Sequence, residues 1–284
     1  MANRFETIFA KARAEQRTLI MGIVNATPDS FSDGGEFLDP QAAATHAQEL
    51  VAQGADVIDL GAESTRPGSR KINEDEEMAR LLPALKAIRQ ALPDVPVSVD
   101  TYHARVAEQA LAAGADILND VCAIFSVSKM RERDYEMARL TATTGAPLIA
   151  MHNRFGDENY GEDFMSELLN DLRAGVEIIL KAGVPAEKIW LDPGFSFGKS
   201  LEQNLQIVTK MREIVALGFP VLLGTSRKSA LGKILAGKPP KERGGADAAC
   251  ATLGIAGGAA MLRVHDVAAI RDVAITADAL MRVK

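Results

Sequence analysis

The chain alternates short runs rich in Val, Ile and Leu with amphipathic stretches along its length. This alternation is typical of strand–helix units around a parallel sheet. The apolar runs predict strands at Leu19–Val24, Asp56–Leu60, Val95–Val99, Asp116–Leu118, Pro147–Met151, Lys188–Leu191, Phe219–Leu223 and Ala260–Val264. Eight units favour a closed (β/α)8 TIM barrel over an open doubly wound sheet, and 284 residues accommodate a barrel of about 250.

Capping residues indicate where several helices begin. Asp39 precedes a proline, and Asn73 and Ser200 each stand three residues before a Glu or Gln. Within Glu162–Lys181, apolar residues recur at helical spacing and predict one buried stripe. Because no linker or composition shift interrupts the pattern, we expect a single domain over residues 1–284. It comprises an N-terminal extension, 1–18, and a barrel, 19–280.

Charge and cysteine usage exclude several classes of protein. The net charge of −6 disfavours non-specific nucleic-acid binding but permits local cationic pockets. Cys122 and Cys250 have neither metal-ligand spacing nor a disulfide framework. The longest apolar run, Ala248–Leu262, is shorter than the roughly 18 residues that a bilayer span requires. Residues 1–18 lack the apolar core of a signal peptide. We therefore expect a soluble cytoplasmic protein that binds neither nucleic acid nor membrane.

Two predicted loops after strands are unusually long. The first runs from Asn25 to Leu38, and the second runs from Gly61 to Asn73 and contains Thr65 and Arg66. Long polar loops at the catalytic face of a barrel commonly act as lids or substrate loops, although plain connections are the alternative. We therefore expect a barrel with extended first and second βα loops.

Every predicted strand delivers a polar or ionisable residue at or just after its carboxyl end. These residues are Asn25, Asp59, Asp100, Asn119, Asp120, His152, Asp192, Lys228, Arg263 and His265. Some have simpler explanations, since Asp59 or Asp120 could be a helix cap and His152 or His265 a structural histidine. The complete set predicts a site at this end of the barrel.

The residue types suggest what such a site binds. Asp100, Asp192 and the amide of Asn119 can pair with the edge of an aminated heterocycle, which Lys228 and Arg263 can also contact. A second, overlapping group can bind an anion: Asn25, Thr65, Arg66, Arg263 and His265. The last two barrel loops commonly bind phosphate. From these residues alone we predict transfer or cleavage at a phosphate ester of a heterocycle.

Eight motifs, in order, resemble those of the dihydropteroate synthase family. They are Met21–Gly35, Glu63–Gly68, Val97–Asp100, Asn119–Asp120, Ala150–Arg154, Asp192–Lys199, Gly224–Ser229 and Arg263–Asp266. The resemblance covers about residues 19 to 280. It implies an enzyme, a transferase that joins 6-hydroxymethyl-7,8-dihydropterin diphosphate to 4-aminobenzoate and releases diphosphate and 7,8-dihydropteroate. It also implies a homodimer formed through late helices and a sulfonamide target.

The resemblance assigns roles to individual residues. It places pterin contacts and catalysis on Asp100, Asn119, Met151, Asp192, Lys228 and Arg263. Diphosphate contacts are placed on Asn25, Thr65, Arg66, Arg263 and His265, with Mg²⁺ held by the diphosphate and Asn25. The aminobenzoate site is placed on Thr65, Pro67, Phe197 and Ser229.

The sequence departs from the family pattern in two places. Cys122–Met130 replaces a small glycine-containing turn and suggests a longer fourth loop, and Ser196 stands where glycine is common. Other residues are expected to be structural, with His46 and His103 on helix surfaces and Trp190 and Phe195 packing the sixth unit.

Two alternative functions remain open at this point. A pterin-binding methyltransferase of the same superfamily would share the acid-and-amide pocket but has no diphosphate to neutralise. A catalytically silent homologue could serve as a binding subunit. Lys228 and the Arg263–His265 motif disfavour the first alternative, and the intact set of site residues disfavours the second.

Overall fold

The strands lie where the sequence predicts them. A computed structural model describes residues 3–26, 39–63, 70–131, 135–154, 156 and 158–283. The strands are β1 Leu19–Asn25, β2 Val57–Gly61, β3 Val97–Asp100, β4 Ile117–Ile124, β5 Leu148–His152, β6 Ile189–Asp192, β7 Leu222–Leu223 and β8 Met261–Val264. All eight predicted strands are confirmed, with shifts at their ends.

The strands form one parallel sheet that is nearly closed into a barrel. The hydrogen-bonded order is β6-β5-β4-β3-β2-β1-β8-β7. A single bridge, Leu191 to Val221, joins the two edge strands, with the Leu191 N–H donating to the Pro220 carbonyl at 3.0 Å. β7 has only two residues, because Pro220 has no N–H to donate to a ladder. The predicted TIM barrel is confirmed.

Helices surround the barrel. They are α1 Arg4–Ala14, α2 Pro40–Ala52, α3 Glu74–Ala91, α4 Ala104–Ala112, α5 Val127–Arg131, α6 Glu136–Thr144, α7 Phe164–Lys181, α8 Leu201–Thr209, α9 Met211–Val215, α10 Ser229–Ile234, α11 Gly244–Ala256 and α12 Val267–Arg282. Short 3₁₀ helices lie at Ala186–Lys188 and Pro240–Glu242. Within the described residues, no helix combines the length and apolar character needed to cross a membrane.

The predicted capping residues begin their helices. Asp39 accepts a hydrogen bond from the Gln41 N–H at the start of α2, and Asn73 accepts one from the Glu76 N–H in α3. Ser200 forms a reciprocal capping box with the residue three positions on. The predicted stripe of α7 is buried: Phe164, Leu168, Leu172, Val176 and Ile179. Local sequence signals therefore set where these helices start and which face they bury.

Two apolar layers lie on the two sides of the sheet. The larger layer fills the space between the strands and the surrounding helices. The smaller layer lies inside the barrel at its amino end and includes Met21, Val57 and Trp190. Phe5 and Phe9 of α1 pack on Trp190, with ring centroids 5.1 and 4.5 Å away. Helix α1 thus closes the amino end of the barrel.

Candidate active site

Strand periodicity brings the predicted polar residues together. Alternate residues of a barrel strand point to the axis, so the inward residue after the apolar Val57 is Asp59, and the one after Ile117 is Asn119. The parallel registers place Gly61, Asp100 and Asn119 side by side. A layer of polar side chains therefore lies directly above the smaller apolar layer inside the barrel.

A cavity opens at this layer, with about 350 Å³ of empty space when its open mouth is included. Its lining residues are Asp100, Asn119, Val121, Met151, Asp192, Phe195, Phe197, Gly224, Lys228 and Arg263. All six residues that the resemblance assigns to pterin line it. Acids and amide from the middle strands thus share one cavity with cations from the last two strands, as the sequence analysis requires.

Arg263 is the centre of an ionic network at the floor of the cavity. Its Nε lies 2.6 Å from Oδ2 of Asp59, and its Nη2 lies 2.8 Å from Oδ2 of Asp100. The Asn119 amide nitrogen lies 3.3 Å from the same Asp59 oxygen. Asp59 is fully buried and orients both Arg263 and Asn119. The helix-cap explanation for Asp59 is wrong, because Asp59 lies within β2 and contacts Arg263 and Asn119.

The two cavity carboxyls have altered acidity. Burial raises the pKa of Asp100 to about 7, an effect that Asp59 reinforces and the Arg263 guanidinium opposes. Burial also raises the pKa of Asp192, although the Gly194 N–H donates to its Oδ1 at 2.7 Å. A carboxylate in so dry a setting gains strongly from a ligand that donates hydrogen bonds to it.

Lys228 and two phenylalanines form one side of the cavity. The Lys228 Nζ lies 4.1 Å from the Phe197 ring centroid. Phe195 lines the same cavity although it is only 1% exposed, and it packs against Ala230 and Leu231 of α10. The expectation that Phe195 packs the sixth unit is therefore incomplete, because this ring also forms part of the cavity wall.

The Gly224–Ser229 turn is held by residues that the sequence analysis did not select. Arg227 has a φ of +58°, and its N–H donates to the Asp247 carboxylate at 3.2 Å. Arg243 donates from Nη1 to the carbonyls of Arg227 and Lys228 at 2.9 and 3.1 Å. Asp247 and Arg243 lie at or near the start of α11, and no local pattern there distinguishes them from ordinary cap and surface residues. They position the backbone from which Lys228 projects.

The structure describes some of the remaining predicted site residues but not others. Asn25 ends β1 in register with Gly61, and Ser229 begins α10. His265 does not line the cavity; its Nδ1 lies 3.1 Å from the Ser226 Oγ, which links the last two loops. Thr65, Arg66 and Pro67 lie outside the described residues, as does most of the first long loop.

His152 is a buried structural residue behind the cavity wall. It is fully buried, and its Nε2 lies 2.9 Å from Oδ2 of Asp171 in α7. Burial lowers the pKa of His152 to about 3, so the ring is neutral and donates from Nε2. Arg154 donates from Nε to the same Asp171 oxygen at 2.7 Å. The structural explanation, which the sequence left open, applies to this histidine.

Lys199 anchors the loop after β6 from beneath. Its ammonium group donates to the carbonyls of His152, Gly194 and Phe197 at 3.3, 3.0 and 2.9 Å. Burial lowers the pKa of Lys199 to about 7. A side chain at Gly194 would place its Cβ 1.8 Å from the His152 carbonyl oxygen, so this loop requires glycine there.

Asp120 supports the atypical fourth loop. Its carboxylate accepts from the Tyr135 hydroxyl at 2.6 Å and from the Cys122 N–H at 2.8 Å. The register between β4 and β5 shifts between Asp120 and Ile124, and β4 continues past this irregularity. The residues that depart from the family pattern thus form the end of β4 and the short helix α5. Asp120 is neither a helix cap nor a cavity residue.

A larger cavity, with about 710 Å³ of empty space when its open mouth is included, lies at the opposite end of the barrel between residues 15–18 and α12. Its ionic residues already bind one another or the backbone. Asp278 accepts from the Thr18 N–H and hydroxyl, both at 2.8 Å, and Arg17 donates to both Asp56 oxygens at 2.9 Å. Size alone therefore does not identify the site, and we assign the candidate active site to the smaller cavity.

Comparisons with known proteins identify the family. The family model described as pterin binding enzyme matches residues 21–265. A dihydropteroate synthase of Clostridium beijerinckii is 46% identical over 253 residues, 89% of this chain and 90% of that protein. A Clostridium difficile dihydropteroate synthase, solved in the presence of pteroic acid, superimposes with a TM-score of 0.86 at 44% identity, covering 94% and 97% of the two chains.

A third relative carries a different ligand. The dihydropteroate synthase of Xanthomonas albilineans, solved with 4-aminobenzoic acid, gives a TM-score of 0.86 at 36% identity and covers 94% of each chain. Sequence, fold and the convergence of the site residues thus agree. The chain belongs to the dihydropteroate synthase family of pterin-binding enzymes.

Proposed function

We propose that this chain catalyses the family reaction. It joins 6-hydroxymethyl-7,8-dihydropterin diphosphate to 4-aminobenzoate and releases 7,8-dihydropteroate and diphosphate. The observation that carries the proposal is that Asp100, Asn119 and Asp192 share one cavity with Lys228 and Arg263. The relatives solved with pteroic acid and 4-aminobenzoic acid support the substrate classes.

The pterin ring lies in the cavity in this proposal. Its amino group and ring N–H donate to the carboxylates of Asp100 and Asp192, and Asn119 offers both a donor and an acceptor. Met151 packs on one ring face, since it is buried in the cavity wall. Lys228 donates to the ring carbonyl or a ring nitrogen. Arg263 serves both substrate halves, because its guanidinium stands between the carboxyl network and the last loop.

The diphosphate lies above the last two strands, near Arg263 and His265 and the loop residues Thr65 and Arg66. Asn25, half-buried at the carboxyl end of β1, fits a Mg²⁺ ligand because Mg²⁺ takes amide oxygens together with substrate phosphate oxygens. When bound, the ion would supply positive charge to the leaving diphosphate.

4-Aminobenzoate approaches from the rim of the cavity. Phe197 lines the cavity and Ser229 directly follows Lys228, and we assign Ser229, Thr65 and Pro67 to the same subsite as Phe197. The Phe197 ring already lies against Lys228, so an aromatic acid there would have both a ring and a cation within reach. The same features fit sulfonamides, which share the aromatic amine.

The reaction in this proposal begins with departure of the leaving group. The bond between the pterin methylene carbon and the diphosphate oxygen breaks, and its electron pair leaves with the diphosphate. Arg263 and His265 stabilise that charge, while Asp100 and Asp192 stabilise the electron-poor pterin. The amine lone pair then forms the new C–N bond, and the amine proton passes to diphosphate or water. An aromatic amine is unprotonated at neutral pH, so no strong general base is required.

We also propose a homodimer formed through the late helices. Leu253 of α11 and Ile275, Leu280 and Met281 of α12 are large apolar residues that are more than half exposed. The two helices pack on each other, so these residues offer a shared outer surface. Sedimentation of the full chain should give twice the monomer mass, and Leu253→Glu should shift it toward the monomer.

A diphosphate-release assay tests the function directly. With both substrates and Mg²⁺ present, one diphosphate should be released for each dihydropteroate formed, and omission of 4-aminobenzoate should abolish turnover. No release from the folded protein would refute the proposal and favour a silent homologue.

Diphosphate binding separates the synthase from a methyltransferase. Calorimetry with Mg²⁺ should show binding of inorganic diphosphate that is lost in Arg263→Ala. A methyltransferase would show no such binding, since its substrate carries no diphosphate. The synthase names of the relatives already favour the first outcome.

A further inference from the structure

A second ionisable cluster lies near the carboxyl end of the barrel, outside the cavity lining. Glu63 follows β2, Glu77 lies near the start of α3, and His103 directly precedes α4. One carboxylate oxygen from each glutamate and one ring nitrogen of His103 lie within 4.8 Å of one another. Two carboxylates and an imidazole from three separate elements thus converge on one point.

Each glutamate forms a hydrogen bond with one neighbouring hydroxyl, Glu77 with Thr101 and Glu63 with Tyr102, but one buried oxygen of each is left over. Glu77 is only 1% exposed, and its Oε2 has no hydrogen-bond partner among the residues that the structure describes. Within the same described residues, Oε2 of Glu63 and Nε2 of His103 are likewise buried without a partner. Native proteins almost always satisfy buried polar atoms, so three such atoms at one point indicate a bound ion or water, and two carboxylates with an imidazole favour a cation. The sequence predicts His103 at a helix surface, but its Nε2 is buried.

The surroundings of His103 match those of a metal-bound histidine. Its Nε2 lies 4.0 Å from the Glu77 Oε2, whereas two ligands of one tetrahedral zinc ion lie about 3.4 Å apart. Its other ring nitrogen, Nδ1, lies 3.5 Å from Oε1 of Glu74. Metal-bound histidines commonly direct the second nitrogen to a carboxylate, which fixes the ring orientation. The three atoms lie within 4.8 Å of one another, so the side chains must close in on an ion to complete three ligands of a site.

We propose that Glu63, Glu77 and His103 bind one divalent transition-metal ion of the Zn²⁺ class. One imidazole nitrogen and two carboxylate oxygens suit Zn²⁺ better than Mg²⁺, which prefers oxygen ligands alone. The ion joins the loop after β2 to the starts of α3 and α4. It is separate from the Mg²⁺ position assigned to Asn25, which needs the diphosphate.

Calorimetry on the metal-stripped full chain tests this site without any substrate. We expect one Zn²⁺ per chain and at least about 100-fold weaker binding of Mg²⁺. His103→Ala and Glu77→Gln should each weaken Zn²⁺ binding about 100-fold, and Glu74→Gln about tenfold through loss of the outer partner. His46→Ala, a histidine of α2, and Asp75→Asn, an acid next to Glu74, serve as matched controls and should bind Zn²⁺ as the wild type does.

Several outcomes would overturn the site. Absence of Zn²⁺ uptake by the wild type would mean that the carboxyl groups share a proton instead. Equal Zn²⁺ affinity in the wild type and in His103→Ala would place the ion elsewhere, for example on a thiol. Thermal melts with and without Zn²⁺ accompany each titration. Should a ligand variant fail to fold, Glu74→Gln decides the question, since an unchanged affinity there contradicts the proposed second partner of His103.

Discussion

The two ends of the barrel use the same charged residue types in opposite ways. At the amino end, Asp116 accepts from the Val97 N–H at 2.9 Å and pairs with Arg4 at 3.0 Å. Asp56 likewise holds both of its oxygens 2.9 Å from Arg17. These carboxylates satisfy the backbone of neighbouring strands and the adjacent arginines. They are parts of the scaffold.

At the carboxyl end, the carboxylates face a cavity. Asp192 accepts one backbone N–H, from Gly194, and Asp100 accepts from Arg263. Both line the cavity. In this fold, the type of a charged strand residue does not reveal its role by itself. The role follows only when the end of the strand at which the residue lies is also known. Loss of a charge should therefore cost stability at the amino end and activity at the carboxyl end.

The largest expected effect is on turnover. Asp100→Asn and Lys228→Ala should each lower kcat about 10²–10³-fold, because each removes a preorganised partner of the pterin. Thermal melts should stay close to those of the wild type, since Arg263 keeps Asp59 as a partner in Asp100→Asn. The diphosphate-release assay measures the loss. Near wild-type turnover in either variant would contradict the assigned roles.

The matching change at the amino end should act on stability instead. Asp116→Ala leaves the Val97 N–H and two arginines, Arg4 and Arg89, without their shared acceptor. We expect the free energy of unfolding to fall by about 3 kcal/mol, measured by urea denaturation. The kcat of the folded enzyme should be unchanged. A large loss of kcat without a loss of stability would break the comparison between the two ends.

Acid should destabilise the protein through His152. Its pKa is lowered to about 3 in the folded state from an ordinary value of 6.5, so the unfolded chain binds one more proton between these pH values. Stability is fully present above pH 6.5 and falls with decreasing pH by about 1.4 kcal/mol per pH unit. His152→Gln should be less stable at pH 7.5 but lose less between pH 6 and pH 5. An equal fall in the free energy of unfolding of both proteins between pH 6 and pH 5 would exclude His152 as the cause.

The smallest effect concerns backbone strain beside the cavity. Ser196 has a φ of +69°, which explains why glycine is common there, and its Oγ accepts only a long 3.4 Å bond from the Ala230 N–H. Ser196→Gly should raise the free energy of unfolding by about 1 kcal/mol or less. A clear destabilisation in urea would show that the hydroxyl contributes more than the strain costs.

The sequence predicts the barrel well because strand periodicity is local. Alternating inward positions are set within each strand, so the layer that contains Asn119 and Arg263 follows from residue order alone. The same alternation along β2 would also have predicted that Asp59 faces the barrel axis. It cannot find Asp247 or Arg243, which act on the Gly224–Ser229 turn through tertiary contacts about 20 and 15 residues away in sequence.

Histidine environments are the least predictable part of the site. His152 and His103 both occur near strand ends, yet the first bonds Asp171 in the buried wall and the second faces Glu77. Their partners come from helices that the strand pattern does not position. Burial and pairing of a histidine depend on helix packing across the whole barrel, and no local spacing encodes that packing.

Calorimetric titration with pteroic acid tests the central claim most directly, using Asp192→Asn against Asp116→Ala. In Asp192→Asn the new side chain can still accept from the Gly194 N–H, so the main loss is the charge facing the cavity. We predict binding to the wild type and to Asp116→Ala with equal affinity, and about 10–100-fold weaker binding to Asp192→Asn. Equal binding by all three proteins would contradict the claim that the carboxyl-end cavity holds the pterin.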